Sequence, residues 1–132
     1  MKIANGSGKR KRAVARATVR EGKGLVRINS ILLSNYNPKL LRMRISEPLI
    51  LAGDMSKKVD INVVVYGGGI SSQSEATRLA IARALVDYSK DKSLREKYLS
   101  YDRHLLIADV RHAEASKPGD SKPRAKRQKS YR

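Results

Sequence analysis

Residues 10–20 alternate with a period of two. Ala13, Ala15, Ala17 and Val19 fall on one side, and Arg10, Arg12, Arg16, Thr18 and Arg20 on the other, with only Val14 interrupting. That spacing predicts a strand with one face turned to a core. Glu21-Gly22-Lys23-Gly24 reads as a turn and residues 25–29 as a second short strand, so the two together predict a hairpin. Residues 31–36 show no clear period. Asn37-Pro38 has the form of a helix start, with a capping residue before a proline at the first helical position. The helix it opens runs over Leu40, Leu41, Met43 and Ile45. It should break near Glu47, because the residue before Pro48 is pushed out of the helical region. Val59, Ile61, Val63 and Val65 line one face of a strong strand, and Val64 and Tyr66 make its other face apolar toward the end. A strand buried on both faces belongs in the middle of a sheet.

Gly67-Gly68-Gly69 follows at once, and Ser72 with Glu75 has the spacing of a capping box. The helix predicted over 73–88 carries Ala76, Ala80, Ala82 and Ala84 with Leu79, Ile81, Leu85 and Val86, so it should lie close on the sheet. A shorter helix over 94–99 and a last short strand over 105–108 complete the pattern. No internal repeat is visible. The glycine run admits two readings: a tight turn that lets the helix pack closely on the strand, or a phosphate-binding loop at a helix N-terminus. It lacks the Lys-Ser/Thr of a P-loop and the spacing of a dinucleotide fingerprint, which leaves a small kinase-like enzyme as a weak rival. His104 and His112 stand in polar stretches and read as surface residues, and Asp54, Asp60, Asp87 and Asp102 are scattered singly. No catalytic or metal-ligand spacing is present, so neither an enzymatic activity nor a cofactor is expected.

Charge changes the picture more than composition does. Lys and Arg number 29 against 12 Asp and Glu, a formal net charge of +17, which points to a polyanionic partner. The excess is not uniform: residues 1–20 carry +7, residues 117–132 carry +6, and the stretch between them only +4. The C-terminal 16 residues have no apolar period and contain Pro118, Gly119 and Pro123. Such a segment cannot offset its ordering entropy alone, so it is expected to be disordered when free. It could reach roughly 50 Å if extended. The domain division expected is a globular unit over 1–116 with a basic N-terminal strand, then a basic tail over 117–132. The row of strand arginines is a ready phosphate-contact surface. Without Trp or Phe the core must be aliphatic, with Tyr as its only aromatic. The absence of cysteine removes disulfides and thiolate chemistry. No run approaches membrane-spanning length, and residues 1–11 lack the apolar segment of a secretory signal. These features suit a cytoplasmic protein without membrane partners. A free chromatin-type binder remains the other alternative at this level.

The residues 67–85, GGGISSQSEATRLAIARAL, resemble the signature of the universal ninth small-subunit ribosomal protein family. The three glycines, Gln73, Ala76 and the run Ala80-Ile81-Ala82-Arg83-Ala84-Leu85 stand where that signature wants them. The ending Gln128-Lys129-Ser130-Tyr131-Arg132 is similar to the archaeal and eukaryotic branch. Asp109-x-Arg111-x-x-Glu114 and Lys117-Pro118-Gly119 fit the family's connector into its tail. Ala115 and Ser116 depart from the lysine common before Lys117, Asp120 adds an acid, and Pro123 and Lys126 replace commoner Gly/Ala and Arg. The resemblance spans about residues 9–132, and the short N-terminus favours the archaeal type.

The resemblance implies an α+β domain: a mixed four-stranded sheet with helices packed on one side, like the second domain of ribosomal protein S-five, including a left-handed crossover. It implies a structural constituent of the small subunit, bound to rRNA of the 3′ major domain in the head beside neighbouring head proteins, and not a homo-oligomer. Expected rRNA ligands are Lys9, Arg10, Lys11, Arg12, Arg16, Arg20, Gln73, Arg78, Arg83 and Arg111, then Lys117, Lys122, Arg124, Lys126 and Arg127 in the tail. Lys129, Ser130, Tyr131 and Arg132 are expected to approach the anticodon stem-loop of tRNA in the peptidyl site. Phosphate contacts suit that task, because every elongator tRNA must be held and phosphates carry no base information.

Overall fold

The alternating run becomes the second strand of a hairpin whose first strand has almost no strand signature. The computed structural model describes residues 2–112 and 115. In it β1 (Ile3–Arg10) pairs antiparallel with β2 (Ala13–Glu21), in a register running from Ile3 opposite Arg20 to Arg10 opposite Ala13. Asn5, Gly6, Ser7 and Gly8 are poor strand formers. Their role comes from the helix above them. α2 (Ile70–Ser89) presents Ala76, Ala80 and Ala84, all fully buried, on successive turns. A Cβ on Gly6 would lie 2.5 Å from the Ala80 carbonyl oxygen and 2.6 Å from the Ala84 nitrogen, and one on Gly8 would collide with the Ala76 carbonyl oxygen. Two glycines and three alanines thus bring helix backbone onto strand backbone, a close approach that overrides weak local propensity.

The remaining strands are β3 (Val26–Ile28), β4 (Ile31–Leu32) and β5 (Val59–Tyr66), giving the order β1-β2-β5-β3-β4. The sheet is mixed, because β5 runs antiparallel to β2 and parallel to β3. It has five strands rather than four; β4, two residues long, comes from the stretch without a clear period. β2 and β3 do not form the expected hairpin, since β5 lies between them. The turn at 21–24 closes onto β5 instead. Gly22 N–H donates to the Lys58 carbonyl at 2.9 Å, and the N–H groups of Lys23 and Leu25 donate to Asp60 Oδ1 at 2.9 and 3.0 Å. These bonds hold the Asp60 carboxyl below its ordinary range, that from Lys23 foremost.

α1 (Lys39–Ala52) lies in the parallel connection from β3 to β5 and does not stop at Glu47. It continues through the buried Pro48, because Leu49, Leu51 and Ala52 beyond it pack against the core. The lost helical hydrogen bond is outweighed by that burial, and the Tyr98 hydroxyl donates to the Pro48 carbonyl at 2.7 Å. Asn37 does not cap α1; Pro38 stands at its N-cap with extended backbone. α2 likewise starts earlier than residue 73, with Gly69 at its N-cap and no side-chain cap from Ser72. α3 (Lys92–Tyr101) is longer than expected because Asp91 caps it, accepting from Ser93 N–H at 2.9 Å. No strand forms at 105–108. Residues 103–105 make a single 3-10 turn that inserts Leu105, fully buried, into the core. The helices cover one face of the sheet. Val19, Ile28, Ile61 and Val63 from the strands meet Ile45, Ile81, Leu85 and Tyr98 from the helices.

Candidate nucleic-acid interface

Among the described residues nothing covers the sheet's other face, and its register is a map. Residues directly opposite each other in a ladder share a face. Lys9, Val14 and Tyr66 form one row; Ser7, Arg16 and Val64 the next; Asn5, Thr18, Asn62 and Arg27 the third; Ile3, Arg20 and Asp60 the last. Lys9, Arg16, Arg20 and Arg27 are exposed, as is Arg12 in the β1–β2 turn. The one carboxylate among these rows, Asp60, is occupied by the backbone of the 21–24 turn. β5 is central as expected, but it is not buried on both faces: Val64 and Tyr66 are 54% and 52% exposed.

A second set of cations is turned inward. Arg10 sits opposite Ala13, and since Ala13 faces the core, so does Arg10; it does not belong to the outward row of arginines. Its Nε donates to Glu75 Oε2 at 2.6 Å. Its Nη1 is buried 3.1 Å from Asp109 Oδ2 without hydrogen-bond geometry, so that contact is one of charge. Arg44 reaches the same Glu75 at 3.3 Å. Arg78, its side chain only 12% exposed, bridges Glu47 (Nε to Oε2, 2.8 Å) and Asp102 (Nη2 to Oδ2, 3.2 Å). Burial alone would raise the Asp102 carboxyl, but bonds from His104 N–H and Arg78 outweigh it and hold it below its ordinary range. Arg83 donates to the Leu106 carbonyl and the Ser7 carbonyl, both at 3.0 Å. Asp109 is held well below the usual carboxylate range by Arg111, first through the side-chain bond and then through its backbone N–H.

The glycine loop joins both sets. Gly67 and Gly68 have positive φ, 79° and 64°, and a Cβ on Gly67 would collide with the Arg12 carbonyl oxygen. Nothing lies within 4 Å of a Cβ built on Gly69. Gln73 fastens the loop by donating Nε2–H to the Gly67 carbonyl at 3.0 Å. The close-packing reading therefore accounts for the first two glycines. The third opens onto a depression lined by Arg10, Lys11, Arg12, Gly68, Gly69, Ser72, Arg111 and His112 at the start of α2. Among these lining residues there is no carboxylate, and no acidic side chain stands in the first turn of the helix. Uncapped helix N–H groups and surrounding cations make such a depression suitable for an anion.

A model of the family described as ribosomal protein S9/S16 matches residues 8–132. The chain belongs to the ribosomal protein S9/S16 family. Small ribosomal subunit protein uS9 of Methanococcus maripaludis (strain C7) is 49% identical over 134 residues, covering 100% of both chains. The protein of that name from Methanothrix thermoacetophila is 48% identical over 132 residues, again covering 100% of both. The archaeal/eukaryotic type expected from the terminal motif agrees with these archaeal relatives.

Within this family member the expected ligand residues divide. Lys9, Lys11, Arg12, Arg16, Arg20 and Arg111 are exposed, while Arg10, Gln73, Arg78 and Arg83 hold the framework together. Lys117, Lys122, Arg124, Lys126, Arg127, Lys129, Ser130, Tyr131 and Arg132 lie outside the described residues. Sequence reasoning passed over Arg27, which the alternation Val26-Arg27-Ile28 could have exposed as an outward cation. It also took Glu75 for a cap, because an i to i+3 spacing carries no information about Arg10 sixty-five residues away. His104 and His112 are exposed, as read. Among the described residues no group of His, Asp and Glu could hold a metal ion, and no helix is long and apolar enough to cross a membrane.

Proposed function

We propose that this chain is a structural, non-catalytic constituent of the small ribosomal subunit that binds rRNA of the head through its open sheet face and the basic depression beside it. One observation carries the reading. Lys9, Arg16, Arg20 and Arg27 stand in rows whose one carboxylate, Asp60, is engaged by its own turn, with Arg12 exposed beside them, whereas Arg10, Arg78 and Arg83 are committed to partners within the fold. Guanidinium forks can bridge phosphates that would otherwise repel, letting RNA helices approach each other. The folded unit supplies rigidity; the cations supply affinity. The basic segment over 117–132 continues from the connector that Asp109 and Arg83 fasten to the domain. We assign it to rRNA along most of its length, and its last four residues to the anticodon stem-loop of tRNA in the peptidyl site. The ribosome places the protein in the cytoplasm, beside other proteins of the head.

The test uses the full chain and two variants. Replacing Arg12, Arg16, Arg20 and Arg27 together with Gln should reduce the salt slope of binding to a head-domain rRNA transcript by roughly three to four, at about 0.9 for each phosphate no longer neutralised. An unchanged slope would show that this face meets no phosphate. Deleting residues 129–132 should leave rRNA binding intact and raise the dissociation rate of tRNA from programmed small subunits only modestly. A few charge-assisted contacts of about 1–3 kcal/mol, less their ordering entropy, stand against codon pairing and many rRNA contacts. Equal dissociation rates at several salt concentrations would remove tRNA from the function and leave the rRNA role.

A further inference from the structure

Phosphate binding explains the cations of the open face but not what stands between them. Tyr66 and Val64 are more than half exposed at the C-terminal end of β5, the middle strand of the sheet. Val14 lies directly across from Tyr66, and Arg16 directly across from Val64. Lys9 continues the first row on β1. Opposite side chains in such a ladder are about 5 Å apart and diagonal ones about 7 Å. An aromatic ring with an aliphatic floor therefore has an ammonium beyond Val14 on one side and a guanidinium on its diagonal. The ring and Val64 stand side by side on one face of one strand, with cations in both of their rows, so a partner with an apolar face and a negative charge could cover both at once.

We infer that the open face carries a stacking site for an unpaired RNA base, with Tyr66 as the platform and Arg16 and Lys9, both on the β2–β1 side of the ring, meeting the adjoining phosphates. The inference rests on the RNA-binding reading above and adds the chemical form of the RNA. Every base has a π-face that an aromatic side chain accepts, and flanking cations track the backbone. A duplex hides those faces within its own stack, so a base must be splayed out to use the ring. Charge decides against a protein occupant. The centre of a protein–protein contact is depleted of lysine, whereas here Lys9 shares the row of the ring, and neither that row nor the next holds a carboxylate.

The chain has no tryptophan, so Tyr66→Trp in the full-length protein creates a single reporter at the site. It should be titrated with a short single-stranded oligoadenylate and, separately, with heparin, a polyanion without bases. Oligoadenylate should quench the emission of the new side chain strongly, and heparin should bind while leaving it nearly unchanged. Tyr66→Ala should weaken oligoadenylate binding roughly ten-fold with heparin binding and the unfolding midpoint unaltered, and Tyr66→Phe should restore affinity. If oligoadenylate binds without quenching, or Tyr66→Ala binds it as tightly as the parent, stacking at this site is overturned and the patch is left to a protein. If heparin quenches as much as oligoadenylate, the signal reports charge alone and stacking is likewise overturned. If the parent chain binds neither oligoadenylate nor the head-domain rRNA transcript, the RNA-binding reading itself fails.

Discussion

Arg10 and Arg12 are two residues apart, carry the same charge and sit at the same hairpin, yet they belong to different parts of the molecule. Arg10 faces the helices, 14% exposed, between Glu75 and Asp109. Arg12 stands exposed in the turn, beside the open face that Arg16 and Arg20 share. The reversal of the chain at Lys11-Arg12 separates them, because Arg10 ends β1 opposite Ala13 instead of continuing the period of β2. The difference teaches what each set requires of its surroundings. A cation taken out of water must be compensated by carboxylates and carbonyls; Arg78 and Arg83 have them in hydrogen-bond geometry, and Arg10 has Glu75 in that geometry and Asp109 as a charge contact. Exposed cations keep their hydration and need no partner, so those on the open face are available to something outside the chain. A basic protein can thus be divided, residue by residue, into charge that holds the fold and charge that is offered.

The sharpest way to break this division is to remove one member of each set. Arg78→Ala would leave Glu47 and Asp102 facing each other beneath α2 without their shared cation. It should cost about 2 kcal/mol of stability, below the range for a fully buried pair because both carboxylates are partly exposed. Arg16→Ala should stay within about 0.5 kcal/mol, as surface substitutions do. Urea unfolding of the two variants against the parent measures both. Equal losses would mean that the open-face arginine is also part of the framework.

Acid should weaken the inward set through its carboxylates. Asp102 is held below its ordinary pKa in the folded chain. A depressed carboxylate contributes stability that is complete above its unfolded value, about 3.9, and is lost as pH falls through the folded value. Stability should therefore be flat between about pH 8 and 5 and decline below about pH 4. Asp102→Asn should remove no more than about 1 kcal/mol of that decline, since the carboxylate is partly solvated. Denaturant curves across pH would show it.

Much of this division was legible in the chain. The inward Ala13, Ala15, Ala17 and Val19, the strand at 59–66, the long alanine-rich helix and the signature over 67–85 all follow local rules, and the structure keeps them. What escaped depends on contacts distant in sequence. β1 exists because Gly6 and Gly8 admit a helix some seventy residues later. α1 passes Pro48 because the residues beyond it reach the core. β2 and β3 read as a hairpin because nothing local reveals that β5 enters between them. Val64 and Tyr66 look buried in an apolar run, and only the one-sided placement of the helices shows that their face is open. The exposed cations Arg16 and Arg20 could be read from alternation alone; the outward place of Lys9 and the commitment of Arg78 and Arg83 to internal bonds could not.

The smallest effect is the most discriminating, and it comes from a substitution that keeps the charge. Arginine presents a planar fork that bridges two acceptors, and lysine a single compact ammonium. Arg78 uses that fork, through Nε to Glu47 and Nη2 to Asp102. Arg78→Lys can satisfy one carboxylate but not both, and it should cost about 1 kcal/mol in the same unfolding assay, about half the loss on truncation to alanine. Arg16 makes no hydrogen bond or ion pair through its side chain among the described residues, and a phosphate contact there depends mainly on net charge. Arg16→Lys should therefore leave stability unchanged, keep the salt slope of rRNA binding, and alter affinity by less than about two-fold, whereas Arg16→Gln lowers the slope by about 0.9. Side-by-side salt titrations of the lysine and glutamine variants separate two kinds of surface. If Arg16→Lys is as damaging as Arg16→Gln, the guanidinium is gripping a phosphate bidentately or stacking on a base, and the open face has a geometry that charge alone does not convey. If instead Arg78→Lys is as stable as the parent, the bridge between Glu47 and Asp102 needs only a positive charge, and the contrast between the two sets reduces to burial.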